Sequence, residues 1–182
     1  MGDEAWQAFS QRVVFEDSLP LTLEPWAGRD GAELVEEHNL QVLATLAALD
    51  ERRPEPGEES GALMQELARL DGKLNALMEI VGRLLMPDHA LPRRWPIRFN
   101  AVGAEVPAAL WDARPGAHLL KIHFDACRAL PLTLPVVPAD GPADGRIFLA
   151  FDAPGPAVGE GLEKLVFRQH RRKVAEARQS GP

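Results

Sequence analysis

The chain has 182 residues, of which 46% are hydrophobic, and it carries a formal net charge of −7. This hydrophobic fraction excludes a wholly disordered protein, and the negative charge disfavours general binding to nucleic acid. The single cysteine, Cys127, excludes an intrachain disulfide, and we find neither a signal peptide nor an apolar run long enough to span a membrane. We therefore expect a cytoplasmic protein that does not insert into a membrane.

Charge is distributed unevenly along the chain. Residues 1–61 hold 14 acidic and 4 basic side chains, whereas Leu162 to Arg178 holds 6 basic and 2 acidic side chains. This asymmetry predicts either different partners for the two ends or contact between them.

The first predicted element is extended. Residues 12–23, "RVVFEDSLPLTL", predict a strand, a turn at Ser18 to Pro20 and a second extended segment. We expect residues 1–29 to form an N-terminal strand region that packs on the sheet formed later in the chain.

Residues 30–88 are predicted to form a helical hairpin. The first helix is expected to begin near Asp30, a favourable N-cap residue, with Glu33 as its capping-box partner. Its apolar stripe is interrupted by Asn39 and consists of Val35, Val42, Leu46 and Leu49. Residues 52–61 are rich in proline and glycine and connect it to a second helix, from about Gly61 to Met86, which Pro87 ends.

The second helix carries an unbroken heptad repeat. Its large apolar residues alternate in steps of four and three, at Leu63, Leu67, Leu70, Leu74, Leu77, Val81 and Leu84. Such a repeat is typical of helices that wind around each other. The flanking Met64, Met78, Ile80 and Leu85 make the stripe too wide for one partner helix. We expect the first helix to cover part of it and other copies of the chain to cover the rest, most naturally as a parallel tetramer. The alternative is an amphipathic helix that lies on the sheet.

Residues 91–180 form the last predicted unit, in which the hydrophobic pattern changes to a period of two from Ile97 onwards. Alternating segments "IRFNAVGAEV", "HLLKIHFDA", "LPLTLPVV" and "RIFLAFDA" are separated by turns that contain proline. This pattern predicts a small antiparallel sheet or barrel, which the N-terminal strand could join. A basic helix from about Gly159 to Arg178 follows.

Signals for catalysis are sparse. His123, Asp125 and Cys127 alternate along one possible strand face and are residue types that bind metal ions. Alternatively, Lys121, His123 and Asp125 form the solvent side of a strand whose buried side holds Leu120, Ile122 and Phe124. We predict no catalytic residue, metal or cofactor, and a metal-dependent enzyme is kept only as an alternative.

Two groups of arginines could bind a partner. Arg93, Arg94 and Arg98 lie together in "RRWPIR", and guanidinium groups bind phosphates and stack on purines. The alternative is a charged linker between helix and sheet. Arg168, Arg171 and Arg172 share one side of the final helix, where they form either a solvated face or a surface for an acidic partner.

The segments "IRFNAVGAEV", "RPGAHLLKIHF", "PLTLPVV", "GRIFLAFDA" and "LEKLVFRQHRRKVAE" together resemble a PilZ domain over about residues 93–178. The preceding helices resemble the atypical, tetramer-forming branch of that family. The resemblance implies an α+β fold: an antiparallel barrel of six or seven strands, a long helical hairpin that forms a coiled coil, and a C-terminal helix.

PilZ domains bind the bacterial messenger cyclic di-GMP through RxxxR ahead of the first strand and [DN]xSxxG in the first hairpin. Arg98 to Gly103 aligns with the second motif, of which only Gly103 is retained. Arg94 and Arg98 have the RxxxR spacing, but Arg98 already lies inside the second motif. The resemblance thus implies a non-enzymatic signalling or scaffold protein of cyclic di-GMP pathways, with an unknown protein partner and without the usual nucleotide binding. The alternative is a receptor that uses Arg93, Arg94, Arg98 and Gly103, with Arg171 or Arg172 as a further contact.

Overall fold

A computed structural model of the chain describes residues 2–26, 31–50, 62–111, 116–141 and 144–179. In chain order the elements are α1 (Gly2–Ser10), β1 (Phe15–Pro25), α2 (Ala32–Asp50), α3 (Ala62–Leu85), β2 (Arg94–Phe99), β3 (Gly103–Pro107), β4 (His118–Ile122), β5 (Leu132–Ala139), β6 (Arg146–Phe151) and α4 (Pro156–Gln179). The predicted N-cap Asp30, and the connection predicted at residues 52–61, lie outside the described residues.

The six strands close into an antiparallel barrel in the order β1-β2-β3-β6-β5-β4. Every second residue of the strands points inward, which gives a core that includes Ile97, Phe99, Val106, Leu120, Ile122 and Leu134. The predicted antiparallel barrel is confirmed. The segment "IRFNAVGAEV" supplies two of its strands, β2 and β3, because Asn100 to Val102 forms the turn of a hairpin.

β1 is one continuous strand and contains no turn at Ser18 to Pro20, contrary to our prediction. Residues Phe15–Pro20 pair with β2, and Leu21–Pro25 pair with β4. Pro20 thus marks the position where the strand changes partner, and its carbonyl accepts a hydrogen bond from the His123 amide at 3.1 Å. A proline is tolerated there because the missing amide donor falls at the break between the two ladders.

α2 packs on the barrel and on α4 rather than along α3. Val42, Leu43 and Leu46 are buried in the core that the helix shares with the strands. Asn39, which interrupts the apolar stripe in the sequence, donates from Nδ2 to the Thr133 carbonyl at 2.6 Å and accepts from the Thr133 amide at 2.8 Å. Asn39 therefore binds α2 to β5. We predicted that α2 would cover part of the stripe on α3, and this prediction is wrong.

Helices at the two ends of the chain complete the packing. α1 was not predicted, and it stacks Trp6 and Phe9 around Phe148 of β6, with ring centroids 5.3 and 5.0 Å from the Phe148 ring. α4 begins at Pro156, three residues before the predicted start, because proline is well suited to the first helical position. Its apolar side is buried against α2 and the barrel through Val158, Leu162, Leu165 and Val166.

Candidate functional site

The heptad residues of α3 are exposed in the single chain. Leu67 is half-buried, whereas the other six are between 39% and 75% exposed, at Leu63, Leu70, Leu74, Leu77, Val81 and Leu84. The flanking Met64, Met78, Ile80 and Leu85 are between 45% and 70% exposed. A contiguous exposed apolar surface along a 24-residue helix is typical of interaction sites.

Four of the six charged residues of α3 form pairs within the helix. Arg69 contacts Glu66 through two hydrogen bonds of 2.8 and 2.5 Å, and Arg83 contacts Glu79 at 2.7 Å. The Arg69 guanidinium holds the pKa of Glu66 below its usual value. By helical spacing, Arg69, Glu79 and Arg83 lie away from the heptad positions. These two ion pairs therefore neutralise four charges of the helix outside the heptad positions.

One side of α3 faces a turn of the barrel, the 3-10 helix Asp125–Cys127 and the residues after it. A groove of about 810 Å³ separates them, and its lining includes Met78, Leu85, Cys127 and Leu130. At Gly82 the helix comes near the turn, since an added Cβ would lie 3.6 Å from Arg128 Cγ. Leu70, Leu74 and Leu77 do not line this groove, so the barrel leaves these heptad positions accessible to other chains.

Arg93 and Arg94 are engaged by neighbouring side chains. The Arg94 guanidinium binds both carboxylate oxygens of Asp125, at 2.7 and 2.9 Å, and also donates to the Ser18 carbonyl. This pairing raises the pKa of Arg94 and lowers that of Asp125. Arg93 stacks on the Trp95 ring, with its guanidinium carbon 4.4 Å from the ring centroid.

Arg98 belongs to a charge cluster on the outside of the barrel. Its Nη1 donates to Oε2 of Glu105 at 2.6 Å, and Arg146 Nε lies 2.5 Å from the other carboxylate oxygen. The Glu105 side chain is only 4% exposed, so the carboxylate depends on these two cations for its charge balance. Sequence reasoning missed Glu105 and Arg146, because only the register of β2, β3 and β6 brings them to Arg98.

Gly103 begins β3 in a crowded place beneath α1. An added Cβ would lie 2.5 Å from the Leu149 carbonyl oxygen and 2.7 Å from the Phe148 ring. The neighbouring Asn100 side chain donates to the Phe9 carbonyl at 3.1 Å, which fastens α1 to the hairpin. Glycine is needed here for packing, and α1 occupies the adjacent outer surface of the barrel.

The arrangement of a closed barrel, an appended apolar helix and a C-terminal helix matches known proteins. The profile of a family described as "Atypical PilZ domain, cyclic di-GMP receptor" matches residues 40–179. This chain belongs to the atypical PilZ domain family. No protein with a curated description matches it.

A solved PilZ structure shares the fold over nearly the whole chain. It is a protein from Xanthomonas campestris, described as a pathogenic protein with a tetrameric PilZ domain that self-assembles through an unusual helical bundle. The TM-score is 0.68 at 23% sequence identity, and the match covers 96% of this chain and 99% of the other. Self-assembly through a helix therefore occurs in a protein that shares this fold.

The two arginines with RxxxR spacing, Arg94 and Arg98, do not lie ahead of the first strand of the barrel. The first strand of the barrel is β1, so the segment ahead of it contains Arg12, followed four residues later by Glu16. Arg94 and Arg98 instead lie within β2. α2 and α3 lie between β1 and β2, so the N-terminal strand is separated in the sequence from the other strands of the barrel.

His123, Asp125 and Cys127 do not share one strand face, because β4 ends before them. The strand ends at Ile122, and His123 is buried with its Nδ1 2.8 Å from the Arg128 carbonyl oxygen, so the prediction of a solvated His123 is wrong. Asp125 is paired with Arg94, and burial raises the pKa of the half-buried Cys127. In the part of the chain that the structure describes, no group of three His, Cys, Asp or Glu side chains is placed to hold a metal ion.

The basic residues of α4 differ in exposure. Arg168 is half-buried, while Arg171 and Arg172 are exposed. The Arg171 guanidinium carbon lies 5.9 Å from the ring centroid of Phe167, which is itself 56% exposed. None of the helices in the described ranges is long and apolar enough to cross a membrane.

Proposed function

We propose that this chain is a non-enzymatic, cytoplasmic signalling scaffold of cyclic di-GMP pathways that assembles into a tetramer through α3. One observation carries the proposal: six of the seven heptad residues from Leu63 to Leu84 are exposed although the barrel beside them has a buried apolar core. Full burial of a leucine side chain contributes about 1.5–3 kcal/mol. Covering this stripe in an assembly thus gives each chain on the order of 10 kcal/mol.

The width of the stripe favours four chains over two. Ile80 lies beside the heptad positions and is 57% exposed, so the apolar face extends past the seam that a single partner helix covers. The tetrameric helical bundle of the Xanthomonas protein supports the same arrangement here. The charge pairs Glu66–Arg69 and Glu79–Arg83 leave the outer side of such a bundle soluble.

The proposed loss of the usual nucleotide binding is supported by the state of the candidate residues. Arg94 is paired with Asp125, Arg98 with Glu105, and Gly103 lies against Phe148. A ligand that used these arginines would first have to break two ion pairs, one of which neutralises a buried carboxylate. The proposed assembly through α3 uses none of these residues.

The double substitution Leu70→Asp with Leu77→Asp tests the assembly. We expect the molar mass measured by light scattering to fall to that of one chain while the far-ultraviolet circular dichroism of the barrel persists. Carboxylates in an apolar seam cost several kcal/mol each. The matched control is Gln65→Asp with Ala76→Asp, which adds the same charge at exposed positions off the stripe and should leave the mass unchanged. An unchanged mass in the stripe variant would contradict the proposal.

A genuine cyclic di-GMP receptor is the second candidate, and the description of the matched family favours it. Titration calorimetry with cyclic di-GMP separates the two functions. Micromolar or tighter binding that is lost in Arg94→Ala, but kept in Lys121→Ala, would support the receptor. The scaffold proposal expects no such binding.

A further inference from the structure

A groove runs along α4 where the chain crosses it between α1 and β1. Two open cavities of about 340 and 310 Å³ flank Arg12 and Val13 on this crossing. We call the two together the α4 groove; its lining includes Arg12, Val13, Phe167, His170 and Lys173. The stretch of α4 from Glu163 to Lys173 is about 15 Å long, which equals about five residues of extended peptide.

The groove combines an apolar floor with a cationic border. Val13 is 46% exposed and Phe167 is 56% exposed, so two large apolar side chains meet solvent inside a concave surface. Two acidic residues also line it: Glu163 is paired with Arg12 at 3.1 Å, and Glu16 lies in the same cavity as Lys173. Arg171 lies over the Phe167 ring, and the Lys173 ammonium is held in place by the Glu16 carbonyl. Between Lys164 and Ala175, α4 carries no acidic residue.

We infer that the α4 groove binds an extended, acidic peptide segment of a partner protein, with a large apolar residue of the peptide against Val13 and Phe167. The inference rests on the proposed scaffold function, since a scaffold needs a surface for its client. Carboxylates of the peptide pair with Arg171 and Lys173 at the border, where opposite charge raises the association rate and fixes the register.

The apolar floor and the net charge decide against other polyanions. Nucleic acid and anionic membranes are bound by broad cationic surfaces, whereas this groove exposes the apolar side chains of Phe167 and Val13. The whole chain carries −7 and repels both. A short acidic segment can contact Arg171 and Lys173 on α4, so it gains the local attraction without the long-range repulsion of a large polyanion.

The test uses the full chain and a panel of fluorescein-labelled heptapeptides in which one Leu, Phe or Trp is set among Asp and Glu. A matched panel replaces the acids by Asn and Gln. We expect fluorescence anisotropy to give saturable binding of acidic members, weakened at least about tenfold in Arg171→Glu and in Phe167→Ala. Lys121→Glu, which makes the same charge change on β4, should bind as the wild type does.

Several results would overturn the inference. These are no saturable binding by any acidic peptide, equal affinity for the neutral panel, or wild-type affinity in Arg171→Glu. Binding to phosphatidylglycerol vesicles that is lost in Arg171→Glu, without peptide binding, would instead assign the surface to a membrane and also overturn it.

Light scattering in parallel keeps this inference distinguishable from the tetramer. We expect Arg171→Glu to keep the wild-type mass and Leu70→Asp with Leu77→Asp to keep the peptide affinity per chain. Failure of peptide binding at an unchanged tetrameric mass would overturn the groove alone. A monomeric wild type that binds the acidic panel would contradict the tetramer alone.

Discussion

α2 and α3 are neighbours in the sequence and both carry an apolar stripe, but only one of the two stripes is covered within the chain. Val42 of α2 is 0% exposed, whereas Leu74 of α3 is 57% exposed. The stripe of α2 is interrupted by Asn39, whose side chain binds β5, while the stripe of α3 keeps its period of 3.5 residues without a polar interruption. A polar residue in a stripe thus marks a helix that fits one particular place, and a strict heptad marks a helix that fits copies of itself.

The same division extends to the charges. Arg94 and Arg98 form ion pairs within the chain, with Asp125 and Glu105 respectively, so they contribute to the packing of the domain. Phe167 and Arg171, like the α3 stripe, meet solvent and are available to partners. Pairing within the chain therefore distinguishes these arginines from the residues that we propose as contacts to other molecules.

The largest expected effect comes from a matched pair of substitutions, Val42→Asp and Leu74→Asp. A carboxylate at the fully buried position 42 should leave no folded protein at 25 °C, because burying the charge costs more than the stability of a typical domain allows. The same change at position 74 should weaken assembly and leave the barrel folded. Near-ultraviolet circular dichroism of the tryptophans measures whether each variant folds, and light scattering measures the assembly of Leu74→Asp. Folding of Val42→Asp would contradict the comparison.

A second test concerns the charge cluster on the barrel. Replacing Arg98 and Arg146 together by Met leaves the buried Glu105 carboxylate without either cation, which should lower the free energy of unfolding by about 3–5 kcal/mol. Urea unfolding measures the change. Adding Glu105→Gln to the double variant should restore most of the lost free energy of unfolding. If the double variant is as stable as the wild type, Glu105 does not need Arg98, and Arg98 could bind a ligand instead.

Asn39→Ala tests whether the polar interruption of α2 places the helix. The Thr133 amide and carbonyl would lose their partners, which should reduce the free energy of unfolding by about 1–3 kcal/mol. The control is Thr45→Ala, which removes an exposed hydroxyl whose hydrogen bond stays within the same helix. Equal small effects of the two substitutions would show that Asn39 does not hold α2 on β5.

The smallest effect is expected from Arg94→Ala at the surface pair with Asp125. Both side chains are about half exposed, so the pair contributes less than about 1 kcal/mol at pH 7. Because Arg94 lowers the pKa of folded Asp125, this stability is present above the unfolded pKa of about 4 and is lost as the pH falls through the lower, folded pKa. The difference between wild type and variant in urea unfolding should therefore shrink in acid. A difference that grows in acid would contradict the pairing.

Much of the fold follows from local patterns. Period-two alternation predicted the strands around Ile97, Leu120, Leu134 and Leu149, and the heptad with Pro87 predicted α3. α1 was missed because it is short and its Trp6 and Phe9 find their place only against Phe148 of β6. β1 was divided at Pro20 because a proline in a strand normally signals a break, whereas here it sits where one strand changes partner.

The candidate site was predicted less completely than the fold. The residues of the stripe on α3 could be named from the sequence, because helical spacing alone places them on one side of the helix. The ion pairs of Arg94 and Arg98 could not be predicted, because their partners Asp125 and Glu105 come near only in the folded barrel. Likewise, the burial of His123 results from the end of β4 at Ile122, which alternation alone did not reveal.

The molar mass of the wild-type chain in solution tests the central claim most directly. Light scattering or sedimentation at micromolar concentrations should give four times the 19.9 kDa of one chain. A mass of one chain that persists up to high micromolar concentrations would contradict the account, because the exposed leucines of α3 would then remain uncovered without any association.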